Sequence, residues 1–178
     1  MRDGQDNGRM GIHPEHPFAT PEPERGPVRR LRGRLASTVT LWTAGAEPGR
    51  AGLPVASTLI ADGEPGRVLG LLDPESEVFD ALTASGTFAV MVLDGSQQRI
   101  SDEFAGLVPV PGGAFRNHGW TETEWGPVLV GATTWAGCTV ENTRPCGYGE
   151  LVEGVIRYVE LGEAEPLVYH RGRYRTLG

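Results

Sequence analysis

From Ser37 onward the chain is a series of short apolar and β-branched runs, broken at close intervals by Gly, Pro and Asp. Ser37–Thr43 reads S-T-V-T-L-W-T, and Leu53–Ile60, Val68–Leu72 and Thr87–Leu93 follow, each bounded by turn residues. This pattern predicts strands. Ala132–Glu141, Leu151–Leu161 and Leu167–Arg175 continue the series. In Leu151–Val159 alternation puts Leu151, Glu153, Val155, Arg157 and Val159 on one face, and Val152, Gly154, Ile156 and Tyr158 on the other. Neither face is uniformly polar, which predicts cover on both sides over part of the strand. Two stretches carry helical spacing instead. Pro74–Ala84 places Val78, Phe79 and Leu82 at i, i+1 and i+4, and Ser96–Ala105 places Ile100 and Phe104 at i and i+4. Gly106–Glu124 has little regular period, and an irregular connection of that length is often functional. Many short strands with two short helices predict a mainly β fold, arranged as a closed or nearly closed barrel rather than a doubly wound sheet.

Residues 1–28 are rich in Gly, Pro, Asp, Glu and Arg and offer no apolar stripe, so they are expected to form a disordered tail before one domain over residues 29–178. The tail's His13 and His16 supply only two nitrogen donors, and no metal site is assigned to them. Gly and Pro make up 40 of the 178 residues, which favours turns over a helix bundle.

All 16 basic residues are Arg. This bias also accompanies GC-rich coding sequence. Without Lys, Schiff-base catalysis and a P-loop NTPase are excluded. The net charge of −7 is unevenly spread: +2 over residues 1–34, −12 over residues 35–170 and +3 over residues 171–178. An acidic body argues against nucleic acid as a partner. The Arg29, Arg30, Arg32, Arg34 cluster reads either as a solvated arm or as an anion contact.

Cys138 and Cys146 form no zinc-ligand pattern and are expected as reduced thiols of a cytoplasmic protein. No apolar run is long enough to span a membrane, and no signal-peptide pattern opens the chain.

Searches for a catalytic constellation return nothing. There is no G-x-G-x-x-G after a strand, no G-x-S-x-G and no H-E-x-x-H, and His118 and His170 stand apart from any triad. No catalytic side chain and no metal ligand is assigned, so any redox chemistry would belong to a cofactor.

Four blocks in order carry a family resemblance. They are Thr38-Val-Thr-Leu-Trp-Thr-Ala44; Gly52-Leu-Pro-Val-Ala-Ser-Thr-Leu-Ile60; Val68–Leu82 with Gly86-Thr-Phe-Ala-Val-Met-Val-Leu93; and Pro166-Leu-Val-Tyr-His-Arg-Gly-Arg-Tyr174. Gly126-Pro-Val-Leu129 and Cys138 fall where the same family has a G-x-P-V-L turn and a strand cysteine. Together, over roughly residues 30–178, these blocks resemble the flavin reductase family with its FMN-binding split β-barrel.

The resemblance implies a homodimer that binds FMN, with FAD also possible, and reduces it with NADH or NADPH by direct hydride transfer to the flavin N5. It further implies a flavin-dependent monooxygenase as a partner receiving reduced flavin. Ser57 and Thr58 match the family's paired hydroxyls, which would hold the flavin through hydroxyl and backbone N–H. Asp62 and Gly63 follow in the turn along the flavin ring, and Gly63 would permit close backbone approach. Asp73 and Ser76 fall near the ribityl phosphate; Ser76 is equally suited to capping the next helix. His170 would line the flavin or nicotinamide site. Phe115 and Trp120 are candidates for a lid, and Trp42 for the core.

Two departures stand out. Glu75 and Glu77 make the phosphate turn acidic, so Arg34 or a neighbour in its cluster would have to compensate. Cys146-Gly-Tyr-Gly-Glu150 replaces the family's Gly-Asp-His, and Tyr148 could stack in its place or simply pack. The departures keep two other readings open. One is a non-catalytic flavin- or haem-binding protein on this barrel, and the other a deazaflavin-dependent oxidoreductase.

Overall fold

The computed structural model describes residues 26–177. Residues 1–25 of the expected tail lie outside the described residues. Pro27 and Val28 open a helix, α1 (Pro27–Arg34). Pro at the first helical position and Arg32 and Arg34 in the last turn suit its dipole. None of its residues is buried, so its apolar Val28 and Leu31 left no core-facing signal in the sequence.

The strands are β1 (Ser37–Thr38), β2 (Thr40–Ala44), β3 (Ala51–Val55), β4 (Leu59–Ala61), β5 (Arg67–Leu72), β6 (Thr87–Val92), β7 (Trp120–Thr123), β8 (Gly126–Leu129), β9 (Trp135–Cys146), β10 (Gly149–Glu160), β11 (Val168–His170) and β12 (Arg173–Arg175). The helices α2 (Glu77–Ser85) and α3 (Gln98–Phe104) lie within the two stretches of helical periodicity. Seven strands form one antiparallel sheet in the order β3-β2-β6-β9-β10-β5-β4. A three-stranded sheet, β1-β11-β12, and the β7-β8 hairpin complete the fold. The protein is therefore mainly β with short helices.

The ladder does not close into a barrel. Its two edges, β3 and β4, are not paired with each other, although they are consecutive in the chain. The run expected as a single strand, Leu53–Ile60, breaks at residues 56–58, which carry the chain from one edge to the other. Three linking residues reach only about 14 Å at full extension. The sheet must therefore curl until its edges lie close, which leaves a seam at residues 56–58.

Every residue of β2 is buried, because both faces of this strand are covered. On one face Trp42 and Ala44 join Val55, Val68, Leu72, Phe88, Val152 and the α2 residues Val78 and Leu82. On the other Leu41 joins Met91, Leu129, Trp135 and the α3 residues Ile100 and Phe104. Aromatic rings lie directly on glycines of the first core. A Cβ on Gly70 would lie 2.5 Å from the Trp42 ring, and one on Gly154 would collide with Phe88. Trp42 and Phe88 stack with centroids 4.8 Å apart. In β10 the strict alternation expected from the sequence is interrupted by register shifts at Glu153/Gly154 and Ile156/Tyr158. Such bulges re-aim side chains and increase twist.

The irregular stretch after α3 contains the β7-β8 hairpin and is fastened by a buried carboxylate. The Glu103 side chain is fully buried and accepts hydrogen bonds from Arg99 (2.9 Å) and Asn117 (3.4 Å), while His118 Nε2 lies 2.6 Å away. Burial pushes the Glu103 pKa up, but the hydrogen bonds from Arg99, His118 and Asn117 together outweigh it and hold the group below its ordinary 4.5.

Two outcomes are expected. Gly70→Ala would force the Trp42 ring from its seat and destabilise the protein by about 1–3 kcal/mol in urea titration. A depressed folded pKa contributes stability that is complete above the ordinary carboxylate value and lost as pH falls through the folded value. The wild type is therefore expected to lose stability below about pH 4.5 more steeply than Glu103→Gln, measured as Tm against pH.

Candidate functional site

The seam between β3 and β4 is organised by the Trp42 indole. Its Nε1–H donates to the hydroxyls of Thr40 and Thr58, both at 3.1 Å. Thr40 Oγ1 donates its proton to the Val55 carbonyl at 2.7 Å. The 2.7 Å contact between the Thr40 and Thr58 hydroxyls must then be donated by Thr58. Ser57 is fastened from the other side: its Oγ donates to the Leu71 carbonyl (3.1 Å) and accepts from the Leu71 N–H (3.2 Å). Neither hydroxyl retains a proton for a ligand. Among the described residues no backbone hydrogen bond uses the N–H of Ser57 or Thr58. What the seam leaves unengaged is therefore main chain, held in place by two engaged side chains.

Asp73 and Ser76 stand beside this seam, since β5 leads from Leu71, the partner of Ser57, to Asp73 within two residues. Ser76 is the N-cap of α2: its hydroxyl donates to the Asp73 carbonyl (2.6 Å) and accepts from Phe79 N–H (3.4 Å). Asp73 Oδ1 accepts from the Glu75 N–H at 2.9 Å. The capping alternative read for Ser76 is thus the observed one, and both side chains shape the turn. Asp62 and Gly63 are exposed at the far tip of the β4-β5 hairpin, separated from Thr58 by the length of β4, about 10 Å.

Arg34 and His170 come together at a second corner. The Arg171 N–H bonds the Gly33 carbonyl at 2.9 Å, tying the end of α1 to the β11-β12 turn, where Arg171 has a φ of 54°. Because β1 runs into β2, this corner and the seam flank the same stretch of chain, residues 34–40.

Other candidates resolve differently. Phe115 and Trp120 do not form a free lid. Both rings pack edge-on against Phe104, and Trp120 Nε1–H donates to the Phe115 carbonyl at 2.9 Å. Tyr148 neither packs nor meets a site wall; it is 99 % exposed at the tip of the β9-β10 hairpin. Cys138 is buried, which pushes its thiol up to about 12 and leaves it inert at neutral pH. Among the described residues no cluster of His, Cys, Asp and Glu has metal-site geometry, and no helix is long and apolar enough to cross a membrane.

Sequence reasoning missed the Thr40–Trp42–Thr58 clamp. Thr40 and Trp42 share one face of β2 and so carried a signal, but the partner Thr58 is reached only across the seam.

Next to the seam, β4 presents Leu59 (64 % exposed) and Ile60 (58 %) on the sheet's unpaired edge. An exposed apolar side chain on either face of β4, beside unengaged main-chain donors, suits a flat ring whose polar edge accepts hydrogen bonds.

The chain is similar in sequence and fold to named proteins. NADH-dependent FMN reductase AsuE2 of Streptomyces nodosus subsp. asukaensis is 32% identical over 160 residues, covering 88% of this chain and 86% of the relative. Flavin reductase PheA2 superposes with a TM-score of 0.77 over 85% of this chain and 96% of its own, at 24% identity. BorF, the flavin reductase component of a bacterial two-component tryptophan halogenase, gives a TM-score of 0.74 over 84% of this chain and 98% of its own, at 25% identity. Residues 32–178 match the family described as the flavin reductase like domain, and with the curled sheet and its seam in the same span, the chain belongs to that family.

Proposed function

We infer that the protein is an NAD(P)H-dependent flavin reductase. The observation that carries the reading is the family match over residues 32–178, which contain the clamped seam with its main-chain donors and apolar edge. When bound, NAD(P)H supplies a hydride and the flavin accepts it. The chain's own work is then to bind, orient and shield, which requires no side-chain acid or nucleophile. This agrees with the absence of a catalytic motif in the sequence.

FMN fits the residues present, and FAD shares its ring and first phosphate. In this reading the N–H groups of Ser57 and Thr58 hold the ring's acceptor edge, and one of the exposed apolar side chains of β4, Leu59 or Ile60, which lie on opposite faces of the strand, covers its apolar part. Asp62 and Gly63 line the outer end. The turn from Asp73 to Ser76 lies toward the ribityl chain, with Arg34 supplying the positive charge that the acidic turn lacks, and His170 borders the nicotinamide side. The curled, open sheet supports the description split barrel. An exposed apolar edge strand is a ready surface for pairing, and it supports a homodimer in which a second copy covers β4. BorF belongs to a two-component system, which supports a flavin-using monooxygenase or halogenase as recipient of the reduced flavin.

The purified protein is expected to oxidise NADH when FMN is added, followed at 340 nm. Flavin binding without NADH or NADPH oxidation would overturn the reading in favour of a non-catalytic flavin protein, and a Soret band would indicate haem instead. Thr58→Val removes the clamp and is expected to raise KM for FMN about tenfold, because the seam's donors lose their orientation. Arg34→Ala is expected to weaken FMN more than riboflavin in fluorescence titration; equal losses would show that Arg34 does not serve the phosphate.

A further inference from the structure

Helix α1 is mounted with its apolar side outward. At about 100° per residue, Val28, Leu31 and the C-cap Leu35 share one stripe, with the i, i+3, i+7 spacing that in a surface helix normally turns towards a core. Here they are between 63 % and 81 % exposed. The opposite side of the helix carries the half-buried Arg29 and Gly33, and the Gly33 carbonyl accepts the Arg171 N–H that fastens α1 to the β11-β12 turn. The anchor thus holds the helix with its stripe facing solvent.

Arginines frame the stripe. By the same helical geometry Arg30 and Arg34 lie along one flank and Arg32 along the other, and all three are exposed. The fastening adds Arg171 and Arg173, exposed in and beside the β11-β12 turn. The two segments that meet here, residues 26–38 and 166–178, hold four and three Arg and no acid. The chain over residues 35–170 carries −12, so one basic corner stands on an acidic body. Such a charge distribution draws an acidic surface to this corner and turns it away from the rest of the molecule.

We propose that this corner is the docking surface for an acidic protein with an apolar centre, the recipient of the reduced flavin. Charge complementarity selects the partner: the Arg frame takes carboxylates, and the stripe takes the apolar side chains between them. Size selects the kind of contact. Eight helical residues span about 12 Å, too little for the roughly 800 Å² per side of a stable interface. A contact of that size is transient and steered by charge, which suits repeated delivery. A two-fold pairing of α1 with α1 of a second copy would set Arg against Arg. Extended polyanions such as duplex DNA or an anionic lipid surface would meet the acidic body as well as the corner. The corner also flanks the flavin seam through residues 34–40, so a docked partner stands beside the site that releases the reduced ring. The cargo rests on the reductase reading, whereas the surface does not.

A fluorescent amphipathic peptide of Leu and Glu at helical spacing serves as the probe, followed by anisotropy. The wild type is expected to bind it at about 0.05 M salt and to release it at about 0.5 M. Leu31→Ser is expected to weaken binding about tenfold while leaving NADH oxidation with free FMN unchanged. Arg30→Glu is expected to weaken peptide binding by a similar factor. Both positions are exposed, and thermal melts check that the variants remain folded. Poly-glutamate, duplex DNA and phosphatidylglycerol vesicles are the competing ligands. No peptide binding, Leu31→Ser weakening peptide and poly-glutamate equally, or DNA or vesicles bound as tightly as the peptide overturns the proposal. So does self-association in sedimentation that Leu31→Ser abolishes, which would assign the stripe to a second copy. Wild type that binds the peptide in a Leu31-dependent way yet fails to oxidise NADH with FMN would uphold the docking surface and remove the reductase reading with its flavin cargo.

Discussion

The indole of Trp42 is the contact on which the rest of the structure depends. Its ring fills the space that Gly70 leaves open, stacks on Phe88 and so joins β2, β5 and β6 across the inside of the curled sheet. A buried indole N–H needs an acceptor, and here it finds two hydroxyls at the seam. One residue thus sets the curvature of the sheet and the position of its open edge. Removing either requirement, the glycine or the hydroxyl pair, would leave a large ring without room or a buried donor without a partner.

This coupling changes how the site is understood. Ser57 and Thr58 are side chains of the kind that binds ligands directly, but their protons go to Leu71 and Thr40. Both side chains instead fix a stretch of main chain whose N–H groups enter no backbone hydrogen bond among the described residues. Main-chain donors suit a planar conjugated ring because they are rigid and cannot rotate away, whereas a free hydroxyl would pay rotational entropy on every binding event. The adjacent turn follows the same logic, with Ser76 and Asp73 engaged in capping α2 and Glu75.

Charge is distributed with similar economy. In an acidic body without Lys, Arg must serve every cationic role. Arg67 bridges Glu141 (2.6 Å) and Glu153 (3.2 Å), and its hydrogen bond holds the Glu141 carboxyl below the usual range. Arg99 helps to neutralise the buried Glu103, and Arg50 is matched by two acids.

Much of this was legible in the sequence. Alternation and turn residues located most of the strands, the i, i+4 spacings located α2 and α3, and four ordered blocks carried the family. These features are local: they follow from backbone periodicity and from what each residue permits at a turn. The failures have a common physical cause. Helix α1 buries nothing, so no periodic stripe announced it. The break at residues 56–58 required the sheet to curl, a consequence of strand order rather than of any local preference. Sequence alone determined the kind of fold, the family and the segments that carry the candidate site. Only the tertiary structure decided which protons those segments still have to offer, because a hydroxyl's partner across a seam is set by the curvature of the whole sheet.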